Sequence, residues 1–116
     1  MAKRKSTRDF ARAHESWIAR EYRGRVSPSS GASAVDTGDV RTDIELMECK
    51  ATGHQKAAKS ISIKLSTIEK IADEAYAEGL EPAIPLRIYN PDSPLADPSG
   101  NVDLICRLVR DDVHRG

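Results

Sequence analysis

The sequence predicts a mixed α/β domain in which a central β-sheet is flanked by helices. Three observations predict it. Apolar residues recur at helical spacing in two separate stretches, near residues 7–22 and 66–78. Short alternating or apolar stretches suited to strands fall between and after them, around Val40, 45–50, 83–89 and 102–109. The chain has 116 residues, enough for one core of modest size and one domain spanning 1–116.

In order, residues 1–6 are polar, basic and without period, so a disordered tail is expected there. The first helix is expected from Thr7 or Arg8 to about Tyr22, with Phe10, Trp17, Ile18 and Tyr22 at helical spacings and Phe10 and Trp17 serving as core anchors. Glu15 lies at the edge of that stripe, with His14 and Glu21 nearer its centre. A short strand, Arg25 to Ser27, precedes a small, polar loop through Ser30 and Ser33. Two extended segments, around Val40 and from Glu45 to Lys50, are expected to meet at a tight turn near Arg41 to Asp43. Ser60 to Lys64 alternates, as a short strand or an extended approach would.

The second helix is marked by Ser66 and Glu69 as a capping box, by Ile68, Ile71, Ala72, Ala75 and Tyr76 on one face, and by Gly79 as its C-terminal cap. Ala83 to Tyr89 reads as a strand, and Pro85 within it predicts an edge position or a bulge. Val102 to Val109 is the last strand.

Charge sets limits on function. Eighteen basic and eighteen acidic residues balance, so net charge points to no partner. Locally, Lys3, Arg4, Lys5, Arg8, Arg12, Arg20, Arg23 and Arg25 outnumber Asp9, Glu15 and Glu21, a surplus suited to backbone phosphates. Cys49 and Cys106 belong to no Cys-x-x-Cys or Cys/His cluster, which argues against zinc, and the three histidines lack ligand spacing. No apolar run is long enough to span a membrane and no signal-peptide core is present. The expectation is a soluble, cytoplasmic protein, in the host cytoplasm if viral.

The chemistry centres on Gly38 to Lys50. Along a strand side chains alternate, so Glu48 and Lys50 share one face and Cys49 points the other way. Alone, Glu-x-Lys is an ordinary ion pair. With Asp39 upstream and an apolar run (Ile44, Leu46, Met47) between them, it offers two carboxylates for a hard cation and an ammonium beside them.

Asp39, Glu48 and Lys50 together resemble the signature of the PD-(D/E)xK nucleases. His14-Glu15-Ser16-Trp17-Ile18, Ser30-Gly31-Ala32, Gly38-Asp39-Val40, the run from Ile44 to Thr52, and Ser60 to Lys64 leading into Ile68-Glu69-Lys70-Ile71 extend the likeness. They resemble the small Holliday-junction resolvases of archaea and some bacteriophages.

That resemblance implies a restriction-endonuclease-like core with a central mixed sheet, and a homodimer that hydrolyses phosphodiesters in four-way DNA. It implies Mg²⁺, with Mn²⁺ as a substitute, held by Asp39, Glu48, the Cys49 carbonyl and Glu15. Glu15, Asp39, Glu48 and Lys50 are then the catalytic set. Asp36 competes with Asp39, and Glu21 with Glu15. Lys3, Arg4, Lys5, Arg8, Ser30, Ser33 and Lys64 would hold DNA phosphates, and no membrane or small-molecule cofactor is expected. Other nucleases of the superfamily, acting on mismatches, flaps or nicks, and a non-catalytic DNA-binding module remain as rivals.

Overall fold

A computed structural model describes residues 7–27 and 39–109. Its elements are α1 (Thr7–Glu21), β1 (Arg25–Val26), β2 (Val40–Arg41), β3 (Glu45–Met47), β4 (Lys50–Thr52), α2 (Leu65–Ala77), β5 (Glu81–Tyr89) and β6 (Asn101–Arg107). The expected α/β architecture is present: one mixed six-stranded sheet and two helices. β1, β2 and β3 pair antiparallel in turn. β3 and β4 both lie parallel to β5, and β6 runs antiparallel along its other edge.

β3 and β4 keep one register, Met47 opposite Ala83 and Lys50 opposite Leu86, so they are successive pieces of one extended segment. Pro85 explains the gap. The Ala83 carbonyl accepts the Glu48 N–H at 3.0 Å, so alternate residues of β5 turn their backbone groups toward β3 and β4. Pro85 has the same parity as Ala83 but no N–H, and the bond it would give falls opposite Glu48. The proline therefore lies in a central strand, not at the expected edge or bulge. It is accommodated because its missing donor faces the gap between β3 and β4.

The two sheet faces carry separate apolar clusters. Leu46, Ile71, Ala75, Ile84 and Leu86 pack on the α2 side, joined by Ile61, Ile63, Ile68 and Leu80. Ile18, Val40, Met47 and Ala83 pack on the α1 side, with Trp17, Val26, Cys49 and Ile105 against them. Truncating a buried leucine such as Leu46 to alanine would cost about 2–5 kcal/mol.

Several local expectations change. α1 buries His14 and Ile18, while Tyr22 falls beyond its end and is exposed. Ser66 caps nothing: α2 begins at Leu65, with Lys64 as N-cap and no side-chain cap bond, because the helix starts a residue before the predicted box. Residues 60–64 form an extended approach without strand pairing. Gly79 does end α2. At φ +72° it lets its own N–H reach the Tyr76 carbonyl (3.1 Å) and that of Leu80 reach Ala75 (2.8 Å), which closes the last turn.

Ion pairs stitch the sheet edges. Glu45, buried, takes both N–H groups of Arg107 at 2.7 and 3.2 Å. Arg87, also buried, holds Asp103 at 2.7 and 3.1 Å, with its guanidinium carbon 5.3 Å from the Trp17 ring centroid. Among the described residues no helix is long and apolar enough to cross a membrane.

Candidate active site

Asp39 is placed by three bonds. Its N–H donates to the Met47 carbonyl at 2.7 Å, its carbonyl accepts from Ser27 at 2.9 Å, and its Oδ2 accepts the Cys49 N–H at 2.9 Å. The first two extend the β1–β2–β3 ladder by one residue. The third ties the carboxylate to the gap between β3 and β4. Sequence alternation placed Glu48 and Lys50 on one face and Cys49 on the other, and Cys49 does pack with the α1-side cluster.

Two of the acids, Glu15 and Glu48, feel the charge of Asp39. Glu15, half-buried on α1, has its pKa raised from 4.5 to about 7 by burial, then by the charges of Asp39 and Glu48, with Arg12 opposing. Glu48 is likewise pushed up, first by burial and then by Asp39, while Lys50 and Lys70 pull it down and Glu74 adds to the rise. Three acids from α1, the start of β2 and the β3–β4 junction thus share one electrostatic neighbourhood, beside Lys50.

Burial, then Asp39, Glu15 and Glu48, also push the Cys49 thiol up, which keeps it protonated at neutral pH. Cys49 offers a carbonyl and no thiolate, so the donor set is oxygen throughout. Glu21 is exposed and is not among the groups acting on Asp39's neighbours, so Glu15 is the acid that α1 brings to the cluster. Among the described residues, no group of three or more His, Cys, Asp or Glu side chains is arranged so as to hold a metal ion. Mg²⁺ needs fewer: it keeps several waters and takes one or two carboxylates, so Asp39 and Glu48, with the Cys49 carbonyl, fit its chemistry.

Two charged residues of α2 were not foreseen. Lys70 and Glu74, 3.7 Å apart at i,i+4, flank Glu48, and Glu74 Oε1 is buried without a hydrogen-bond partner. Their spacing was visible in the sequence, but nothing there told which helix face would cover Glu48. Arg8 and Lys64 are exposed at the first turn of α1 and the N-cap of α2, and the α2 cation acting on Glu48 is Lys70. Lys3, Arg4, Lys5, Ser30, Ser33 and Asp36 lie outside the described residues.

His14 is the remaining unforeseen group. It is 1% exposed, neither ring nitrogen has a partner, and its pKa is lowered from 6.5 to about 4 by burial and by Arg87, with Asp103 opposing. It is a neutral imidazole in the core.

No protein-family model matches this chain, and neither do any curated protein or solved structure.

Proposed function

We propose that this chain is a divalent-metal-dependent endodeoxyribonuclease of the PD-(D/E)xK superfamily, with a restriction-endonuclease-like core, that resolves four-way DNA junctions as a homodimer. The observation that carries the proposal is that burial and the charges of Asp39 and Glu48 hold the Glu15 carboxyl up, and burial and Asp39 do the same to Glu48, at the head of the strand bearing Lys50. A carboxyl shifted by burial together with a specific charged neighbour marks a candidate functional site.

In this reading Asp39 and Glu48 hold Mg²⁺, or Mn²⁺ in its place, with the Cys49 carbonyl beside them. The ion supplies charge neutralisation at the scissile phosphate and an acidified water. Glu15, with a pKa of about 7, is poised to take or give a proton at neutral pH. Lys50 supports the attacking oxygen and the charge that develops on phosphorus. Arg8, Lys64 and the basic N-terminal segment hold backbone phosphates, which position the DNA without reading sequence.

A second reading has its own support. The Asp39 carboxylate bonds the Cys49 N–H, so its role could be architectural in a DNA-binding module without catalysis. Asp39→Asn separates the two, because an amide oxygen still accepts that bond while the charge is gone. A fluorescent four-way junction should be cut with Mg²⁺ and left intact with EDTA, and D39N should bind it but not cut it. Cutting by D39N at the wild-type rate refutes the site. Equal rates on junction and matched linear duplex refute the junction preference and favour a nuclease for another DNA structure.

A further inference from the structure

A cavity of about 400 Å³ is lined among others by Thr7, Phe10, Ala11, Thr52, His54 and Lys56. It shares α1 and β4 with the candidate site. Thr52 follows Lys50 by two residues on β4, and Ala11 is one helical turn before Glu15 on α1. The cavity therefore lies on the same helix and strand as Glu15 and Lys50.

Its walls are built and held. Phe10 and His54 meet at 6.2 Å between ring centroids, and Tyr89 braces Phe10 edge-on at 6.5 Å. The segment carrying His54 and Lys56 is pinned to the end of β5: Ala58 donates to the Tyr89 carbonyl at 2.8 Å, and Asn90 Nδ2 donates to the Ala58 carbonyl at 2.9 Å. Gly53 makes that return possible. Its φ is +83°, and a Cβ there would stand 2.9 Å from the Tyr89 carbonyl oxygen. A lining that combines small residues (Ala11, Ala51, Gly53), the rings of Phe10 and His54 and the exposed Lys56 matches the needs of a flat aromatic ring joined to a phosphate.

We infer that this cavity takes an unstacked nucleobase of the DNA strand next to the phosphate facing Glu15, Asp39 and Glu48, with Phe10 and His54 against the base and Lys56 on its phosphate. The inference rests on the nuclease reading for its place in the strand. It gives a physical source for structure selectivity: a base is cheap to unstack at a branch point and costly to unstack within a continuous duplex. Ala11 and Gly53 leave the room, and the braced rings mean little order is lost on binding.

The test scans 2-aminopurine through a four-way junction, base by base, with the full chain and with Ca²⁺ in place of Mg²⁺ so that binding is read without cutting. Wild-type protein should raise the fluorescence at one position flanking the cut phosphate. His54→Ala should abolish that rise and weaken junction binding by between about 5-fold and 150-fold, the range for a lost base–aromatic contact. Lys56→Ala should weaken binding and flatten its salt dependence while leaving the fluorescent position unchanged. Thermal melts confirm folding, and His54→Phe, which keeps a ring, should restore the signal if His54→Ala melts early.

No fluorescence rise at any position, or wild-type binding by both alanine variants, overturns the inference even if the junction is cut normally. A fluorescence rise that His54→Ala removes, in a protein that never cuts with Mg²⁺, upholds the pocket and refutes catalysis instead.

Discussion

Glu15→Gln should change the pH dependence of stability in a direction that no simple loss of a surface charge would give. The carboxyl of Glu15 sits at about 7 in the fold against 4.5 in a free chain. Between those values the folded state binds more protons than the unfolded one, so this group makes the fold less stable as pH rises. At about 1.4 kcal/mol per unit the full effect is about 3 kcal/mol, and partial exposure of the side chain reduces it to about 2.

His14 works the other way. Its folded value of about 4 lies below 6.5, so the unfolded state binds the extra proton and stability rises with pH over that window. Between pH 5 and 6 the two slopes, each up to about 1.4 kcal/mol per unit, have opposite signs and largely cancel. Wild-type protein should therefore show a nearly flat stability there.

Glu15→Gln removes one slope and leaves that of His14, so its stability should climb by about 1 kcal/mol per pH unit from 5 to 6. The variant should exceed wild type by about 2 kcal/mol above pH 7, with the difference vanishing near pH 4. Urea unfolding from pH 4 to 8 in EDTA measures this, with EDTA removing any contribution from bound cations. Parallel curves for the two proteins would show that Glu15 is not strained by its acidic neighbours, and the electrostatic case for the site would fail with it.

Asp103→Ala should cost about 3–5 kcal/mol in urea unfolding, because it strands the buried Arg87 guanidinium beside His14. Pro85→Ala supplies the donor missing opposite Glu48. Stability should stay within about 1 kcal/mol, since the new bond and the loosened unfolded chain offset one another, while hydrogen exchange should show residue 85 protected. An amide at 85 that exchanges freely would mean the gap has another cause. Gly53→Ala should destabilise by about 1–3 kcal/mol, as φ of +83° and the Tyr89 carbonyl both oppose a Cβ, and a wild-type melting temperature would count against this packing.

Local pattern made the elements legible, and pairing decided the rest. α1, α2 and the strands on both sides of Asp43 follow from spacing, because burial of one face is a local property of the chain. Pro85 was misplaced for a reason outside any local window. Its cost depends on which partner faces its ring nitrogen, and that partner is a carbonyl 37 residues upstream at the break between β3 and β4. The α2 cap failed for a smaller reason, a two-residue shift of the N-cap from Ser66 to Lys64. Asp39, Glu48 and Lys50 were legible because strand alternation and a nearby turn fix their relations. Lys70 and Glu74 were not, since their place beside Glu48 depends on the crossover that lays α2 over β3. Phe10 was read as a core anchor, and its pairing with His54 across one cavity needed the fold.

The arrangement of guanidinium groups gives the acidic cluster its meaning. Buried Glu45 is held by Arg107, half-buried Asp103 by Arg87 and exposed Glu78 by Arg41, each through two nitrogens, so this fold readily supplies planar cations to its acids. At Glu15 and Glu48 it does otherwise. Arg12 and two lysines act there at a distance, too weakly to offset burial and mutual repulsion, and both pKa values stay raised. A sequence selected for stability alone would gain by neutralising either acid, since the penalty at Glu15 is comparable to a sizeable fraction of a small domain's total stability. Such local conflicts persist where something outside the chain relieves them. A divalent cation would relieve this one: it would supply the positive charge that Arg12 and the lysines leave short, and it would lower the pKa of every acid it touches. Mg²⁺ binding near pH 6.5 should then expel a substantial fraction of a proton from Glu15, measurable as a buffer-dependent heat in calorimetry. Binding with no dependence on buffer would place the cation elsewhere.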